Sequence, residues 1–168
     1  MKRTNPRKTL ESLGYTIVYK PHEKVARHMA FYRVEYRGEE IKCPVAEVFG
    51  VPLNQIWLTE KFKPFEKYVL HHEFNEIKYR AEGFGPWEAH LRALEDDKAW
   101  QDEDKWKEFR HEINIIPQEE LTNIQGFGPV IFKKIMEGRP YFSMEEVREV
   151  EGVGEKRYRR LAERCWCF

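Results

Sequence analysis

Ile124-Gln125-Gly126-Phe127-Gly128 and, 26 residues further on, Val150-Glu151-Gly152-Val153-Gly154 share one pattern. Each has an apolar residue, one spacer, then Gly-x-Gly, and each runs into a stretch with helical spacing, 129–137 and 155–163. Glycine tolerates positive φ and lets another backbone approach closely, so each motif reads as a tight hairpin between two helices. The helix after it opens with N–H groups that lack an intrahelical partner, which suits a phosphate. A single Gly-x-Gly carries little information. Two in phase, flanked by apolar residues, point to an all-helical module over residues 112–168.

Residues 112–164 resemble the double helix-hairpin-helix domain of competence-type DNA receptors and of many DNA-repair enzymes. The resemblance rests on both hairpins, the Ile113-Asn114 lead-in, Arg139-Pro140-Tyr141-Phe142-Ser143 and residues 145–150. It implies sequence-independent binding of double-stranded DNA through the backbone amides around Gly126, Phe127, Gly128, Gly152, Val153 and Gly154. Lys133, Lys134, Lys156, Arg157 and Arg160 would supply charge, although some such domains make protein contacts instead. No basic residue directly follows Gly128, so the second hairpin is expected to be the better phosphate clamp.

Upstream, Asn5-Pro6 reads as an N-cap and first helical proline, opening a short helix that Gly14 closes. Residues 15–20, 30–37 and 55–59 are rich in aromatic and β-branched residues and read as strands, with 41–44 as a short return after the turn at Arg37-Gly38-Glu39. Pro64 is expected to open a long helix that Gly83 and Gly85 stop. Pro86 is expected to open a second, carrying Trp87, His90, Leu91, Leu94, Trp100 and Trp106. The fold class expected is therefore α+β: a mixed strand and helix domain over 1–111, then the all-α domain over 112–168.

The first long helix carries His71-His72-Glu73-Phe74-Asn75-Glu76. At about 100° per residue, His72 and Glu76 project to the side of Phe65, Val69 and Tyr79, while Leu70, Phe74, Ile77 and Ala81 form a second apolar stripe. Ionisable groups on so buried a helix need partners. His72 and Glu76, with His90 from the next helix, offer two imidazoles and a carboxylate, the ligand chemistry of a catalytic zinc, and Glu73 would be a general base beside it. The pattern resembles the zincin metallopeptidase helix, with Glu76 where that family has its second histidine and His90 where many members carry glutamate. A metal-free catalytic cluster and a purely structural network fit the same residues. His71, off that face, is expected to pack or to meet solvent.

The whole chain is similar to a small archaeal AP lyase built of a compact N-terminal domain and a double helix-hairpin-helix. That resemblance implies β-elimination at abasic sites in DNA, without metal or other cofactor. The chemistry needs an amine to form a Schiff base with the opened sugar and a base to take the C2′ proton. Gly152-Val153-Gly154-Glu155-Lys156 is similar to the hairpin of endonuclease-III-type glycosylases, in which the lysine is the nucleophile. Those enzymes place an aspartate well downstream, and no Asp follows Lys156. Lys156 therefore reads as a phosphate contact. Lys61 becomes the expected nucleophile, with Lys42 and Lys63 as alternatives. In that scheme Glu73 or Glu76 takes the proton, and His72 and His90 orient the carboxylates. Tyr32, Trp57 and Trp87 could stack at a lesion. Two alternatives from other classes stay open: a zinc-dependent hydrolase or peptidase targeted to DNA, with His72, Glu76 and His90 as ligands, and a non-catalytic DNA-binding protein.

Composition bounds these readings. The 168 residues carry 29 Lys+Arg against 29 Asp+Glu, and 14% aromatics argue against disorder. Charge is uneven: residues 1–37 hold nine Lys+Arg against three acids, whereas 95–104 hold six acids and one lysine. A polyanion suits the basic ends and not the middle. The charge content leans towards a thermophile. No run approaches the roughly 20 apolar residues of a membrane span, and no signal-peptide pattern follows Met1. A cytoplasmic monomer with no membrane partner is expected. Cys43, Cys165 and Cys167 make neither a disulfide framework nor a four-ligand zinc knot, and read as reduced thiols.

Overall fold

A computed structural model describes residues 4–26 and 28–168. The chain is mixed α and β, and falls into two compact units that part between Asp102 and Glu103. The division lies upstream of the expected 111/112 boundary.

The first unit opens with α1 (Pro6–Ser12), where the Asn5 side chain accepts a hydrogen bond from the Lys8 N–H at 3.4 Å and Gly14 ends the turn at φ 89°. Four strands follow: β1 (Thr16–Lys20), β2 (Ala30–Tyr36), β3 (Glu39–Lys42) and β4 (Gln55–Thr59). Their order in the sheet is β1-β4-β2-β3. β2 pairs antiparallel with both β3 and β4, whereas β1 and β4 run parallel, Thr16 opposite Gln55 and Lys20 opposite Thr59. Between β2 and β3 Arg37 (φ 54°) and Gly38 (φ 82°) both take positive φ, the two-residue hairpin whose twist matches its strands.

Two helices complete this unit, α2 (Glu66–Ala81) and α3 (Pro86–Asp97), which pack against each other, with α2 also against α1, β2 and β3. Phe31, Tyr32, Val34, Ile56, Leu58, Phe62, Tyr68, Leu70 and Ile77 are buried in the core. Each such side chain contributes about 1.5–3 kcal/mol by leaving water. Pro64 does not open α2. It lies inside a 3₁₀ turn over Glu60–Phe65 that the Thr59 hydroxyl caps, and the α-helix starts at Glu66.

The helix from Pro86 is shorter than the sequence suggests. It stops at Asp97, a 3₁₀ turn covers Lys98–Trp100, and Trp106 belongs to α4 (Asp104–Arg110) of the second unit. Acids are unfavourable at a helix C-terminus and favourable at an N-terminus, so the run Glu95, Asp96, Asp97, Asp102, Glu103, Asp104 breaks one helix and starts another.

The second unit continues with α5 (Gln118–Thr122), α6 (Pro129–Glu137), α7 (Met144–Arg148) and α8 (Gly154–Ala162). α5 pairs with α6 and α7 with α8, around a core of Ile113, Ile116, Leu121, Ile124, Phe127, Ile135, Tyr141, Val147, Val153 and Leu161. The two Gly-x-Gly turns match bond for bond. The Phe127 N–H donates to the Ile124 carbonyl and the Val153 N–H to the Val150 carbonyl, both at 3.0 Å. Gly126 (φ 97°) and Gly152 (φ 91°) hold the left-handed position of each turn. Past α8 the chain returns to the segment between α4 and α5: the Ile113 N–H donates to the Trp166 carbonyl at 2.8 Å, and the Trp166 N–H to the His111 carbonyl at 3.2 Å. Among the described residues no helix is long and apolar enough to cross a membrane.

Candidate active site and nucleic-acid surface

The middle of α2 carries its polar residues inward: His72 (8% exposed), Glu73 (8%) and Glu76 (9%) are buried along with the apolar residues around them. Four residues apart, His72 and Glu76 share a face, and the α2–α3 packing brings His90 to it. The His72 Nε2, His90 Nδ1 and Glu76 Oε2 atoms form a small triangle, with separations of 3.1 Å (His72–His90), 3.3 Å (His90–Glu76) and 3.6 Å (His72–Glu76). These three side chains could hold a metal ion. Glu73, adjacent to His72, makes the fourth member of the expected cluster a neighbour in sequence and in burial.

Two residues that sequence reasoning did not place at this cluster complete the surroundings. Asp97, at the end of α3 and 3% exposed, lies 2.7 Å from His72 Nδ1 through Oδ2 and 3.0 Å from His71 Nδ1 through Oδ1. His71 packs edge-on against Trp100, as expected of a residue off that face, and in addition pairs with Asp97. The fully buried Tyr32 of β2 donates its hydroxyl to Glu76 Oε1 at 2.7 Å. That burial rules out stacking of Tyr32 on a base. Trp57 is also engaged, donating to Gln55 Oε1 at 2.9 Å, whereas Trp87 is 71% exposed and stacks on His90 at 5.9 Å. Asp97 had no local signal, since it reads as one more acid in a solvated run. Arg80, one turn beyond Glu76, has a buried Nη1 without a hydrogen-bond partner.

The electrostatics follow from burial and these bonds. Burial alone would lower the His72 pKa, but hydrogen bonds to Asp97 and Glu76 outweigh it and raise the pKa to about 10. Burial, and then the charge of Glu76, push the Glu73 carboxyl up. Glu76 moves the other way: burial opposes its ionisation, and bonds from His72, His90 and Tyr32 overcome that and hold it low. Two neighbouring carboxyls with opposed tendencies are the arrangement that general acid–base chemistry uses.

Lys61 stands elsewhere in the unit. It is exposed on the 3₁₀ turn before α2, where it lines a cleft of about 260 Å³ with Pro21, His22, Glu23 and Glu60. None of His72, Glu73, Glu76 and His90 lines that cleft. His22 is buried, with Nδ1 2.8 Å from the Thr59 hydroxyl. Lys42 is paired with Glu40 and Glu47, and the Lys63 ammonium lies over the Tyr19 ring.

In the second unit Gly126, Val153, Gly154, Lys156, Arg157 and Arg160, with Glu155, line one open hollow of about 410 Å³. Six of the eleven residues expected to meet DNA thus converge. Arg157 does more than supply charge: Nε donates to the Gly126 carbonyl and Nη1 to the Gly152 carbonyl, both at 2.6 Å, so one guanidinium ties the two hairpins together. Arg160 Nη1 adds a 3.2 Å bond to the Gln125 carbonyl. Phe127 and Val153 are core residues whose amides are used inside their turns, which leaves the amides of Gly126, Gly128, Gly152 and Gly154 outside the turn bonds. Lys133 and Lys134 are balanced by Glu137 and Glu151, whereas Lys156 is exposed at the start of α8. Compared with protein-family models, curated proteins and solved structures, the chain matches none.

Proposed function

We propose that this protein is a DNA-repair enzyme that binds double-stranded DNA irrespective of sequence and cleaves it at abasic sites by β-elimination. The observation that carries the reading is the open cleft that exposed Lys61 lines together with Glu23, Glu60 and the buried His22. The hollow around α8 supports DNA as the substrate class, because it combines exposed cationic groups with a helix N-terminus.

The amine of Lys61 attacks C1′ of the opened sugar, and loss of water gives an imine. The imine acidifies the C2′ proton, which Glu23 or Glu60 removes. The electron pair left on C2′ forms the C2′–C3′ double bond, and the C3′–O bond breaks to release the phosphate. Hydrolysis of the imine returns the amine. On this reading the proton acceptor stands beside Lys61, and the buried His72–Glu76–His90 group has another role.

The test is a duplex with a single abasic site, incubated with and without EDTA and trapped with borohydride. The expected result is nicking that EDTA does not prevent and a covalent adduct. Lys61→Ala should lower both by at least about 100-fold, while Lys156→Ala keeps the adduct chemistry and weakens binding. An adduct that persists in Lys61→Ala overturns the assignment of the amine. Binding without nick or adduct overturns the lyase reading and leaves a DNA-binding protein, and adduct-free nicking that EDTA abolishes indicates metal-assisted hydrolysis instead.

A further inference from the structure

We infer that His72, Glu76 and His90 form a site for one zinc ion, bound through His72 Nε2, His90 Nδ1 and Glu76 Oε2 with a coordination position left open. The inference goes beyond the lyase reading and uses none of its residues.

The geometry is the first ground. Zinc binds imidazole nitrogen at about 2.0–2.1 Å and carboxylate oxygen at about 2.0–2.2 Å, so neighbouring ligand atoms of a tetrahedral site lie about 3.3–3.5 Å apart. The three donor atoms are separated by 3.1, 3.3 and 3.6 Å, the size of one face of that tetrahedron. Three hydrogen-bonding groups could reach such distances in pairs. What distinguishes this set is that all three atoms approach one another at once, two of them ring nitrogens able to point lone pairs at a common centre.

The second ground is what stands behind the donors. Asp97 Oδ2 at 2.7 Å takes the Nδ1–H of His72, which leaves Nε2 as the basic nitrogen on the side of the triangle. The Tyr32 hydroxyl occupies Oε1 of Glu76 and leaves Oε2 for the ion. Both orienting groups are themselves buried, at 3% and 0% exposure, so neither ligand can swing away to water. The three donor atoms face one another and use each other as partners, so an ion between them replaces only those mutual contacts and leaves the Asp97 and Tyr32 bonds in place.

Charge is the third. Glu76 and Asp97 supply the two negative charges that balance a divalent cation held by imidazoles bound in their neutral form. Access comes through His90, the one ligand whose side chain is 36% exposed. Nitrogen and carboxylate donors in this ratio, without a thiolate, suit zinc in a site with an exchangeable water rather than a closed structural site.

The experiment is a zinc titration of the chelator-treated full chain by calorimetry, followed by cobalt substitution and visible absorption spectroscopy. Expected are one equivalent of zinc bound below micromolar Kd and the absorption bands of tetrahedral cobalt. His90→Ala, at the exposed ligand, should weaken zinc binding by at least about 100-fold with the circular dichroism spectrum unchanged. Asp97→Asn should weaken it about 10–100-fold by freeing the His72 ring. No stoichiometric binding to the wild-type chain overturns the site, as does binding that His90→Ala leaves unaltered. The readout is metal affinity, not DNA cleavage, so failure here and failure of the Schiff-base adduct are separate results.

Discussion

Glu112 shows at one residue how this chain handles charge in its interior. It is fully buried and accepts hydrogen bonds from the Asn114 N–H at 2.8 Å and from Asn114 Nδ2 at 3.0 Å. Burial dominates, despite these bonds and the nearby charge of Arg139, and pushes its pKa up from 4.5 to about 7. The folded chain therefore holds a proton that the unfolded chain releases as pH rises from 4.5 to 7. The contribution of Glu112 to stability is most favourable below that window and declines through it, then stays level above. Thermal unfolding followed across the window should show this loss, and Glu112→Gln, which cannot ionise, should flatten the slope. A variant with the wild-type slope would show that the proton is held elsewhere. Cys165 and Cys167 lie in the same setting, where burial raises both thiols to about 12, so neither is a thiolate at neutral pH.

At the scale of the element, α8 is where structure and the proposed DNA binding meet, and two of its neighbouring residues separate the contributions. Arg157→Ala removes hydrogen bonds to the carbonyls of Gly126 and Gly152, and should cost about 1–3 kcal/mol of stability together with DNA affinity. Lys156→Ala should leave the unfolding midpoint unchanged and reduce affinity alone. Calorimetric melting paired with fluorescence anisotropy on labelled duplex distinguishes the two outcomes. The local elements were largely legible in the sequence. β4 spans Gln55–Thr59 and α6 Pro129–Glu137, as the residue patterns require, and α8 starts one residue earlier than expected, at Gly154. What the sequence left unread depends on contacts between distant residues. The parallel pairing of β1 with β4 joins segments about 40 positions apart, and no local pattern encodes it. Asp97 reaches His72 across 25 positions, and Arg157 reaches Gly126 across 31. The cluster of His72, Glu76 and His90 was legible because helical spacing places the first two together. Its supporting carboxylate was not, and neither was the separation of Lys61 from that cluster.

At the scale of the whole molecule the charges cancel, and they nearly cancel in each unit as well. Residues 1–102 hold 17 Lys+Arg against 16 Asp+Glu, and residues 103–168 hold 12 against 13. On the proposed reading, affinity for DNA therefore comes from the local patch on α8 and not from a general positive field. Few phosphates are neutralised by such a patch, so log K against log salt should have a shallow slope of about −2 to −4, which Lys156→Ala reduces by about one. A slope near that of strongly basic DNA-binding proteins would mean that a second surface takes part. The hydrogen bonds between Trp166 and residues 111 and 113 have a separate consequence. They close the part of the helical unit from residue 111 through α8 into a circuit whose entry and exit lie side by side. Such a unit tolerates circular permutation: a short linker across residues 111 and 166, with new termini opened in an exposed turn, should return the same helices in a new order.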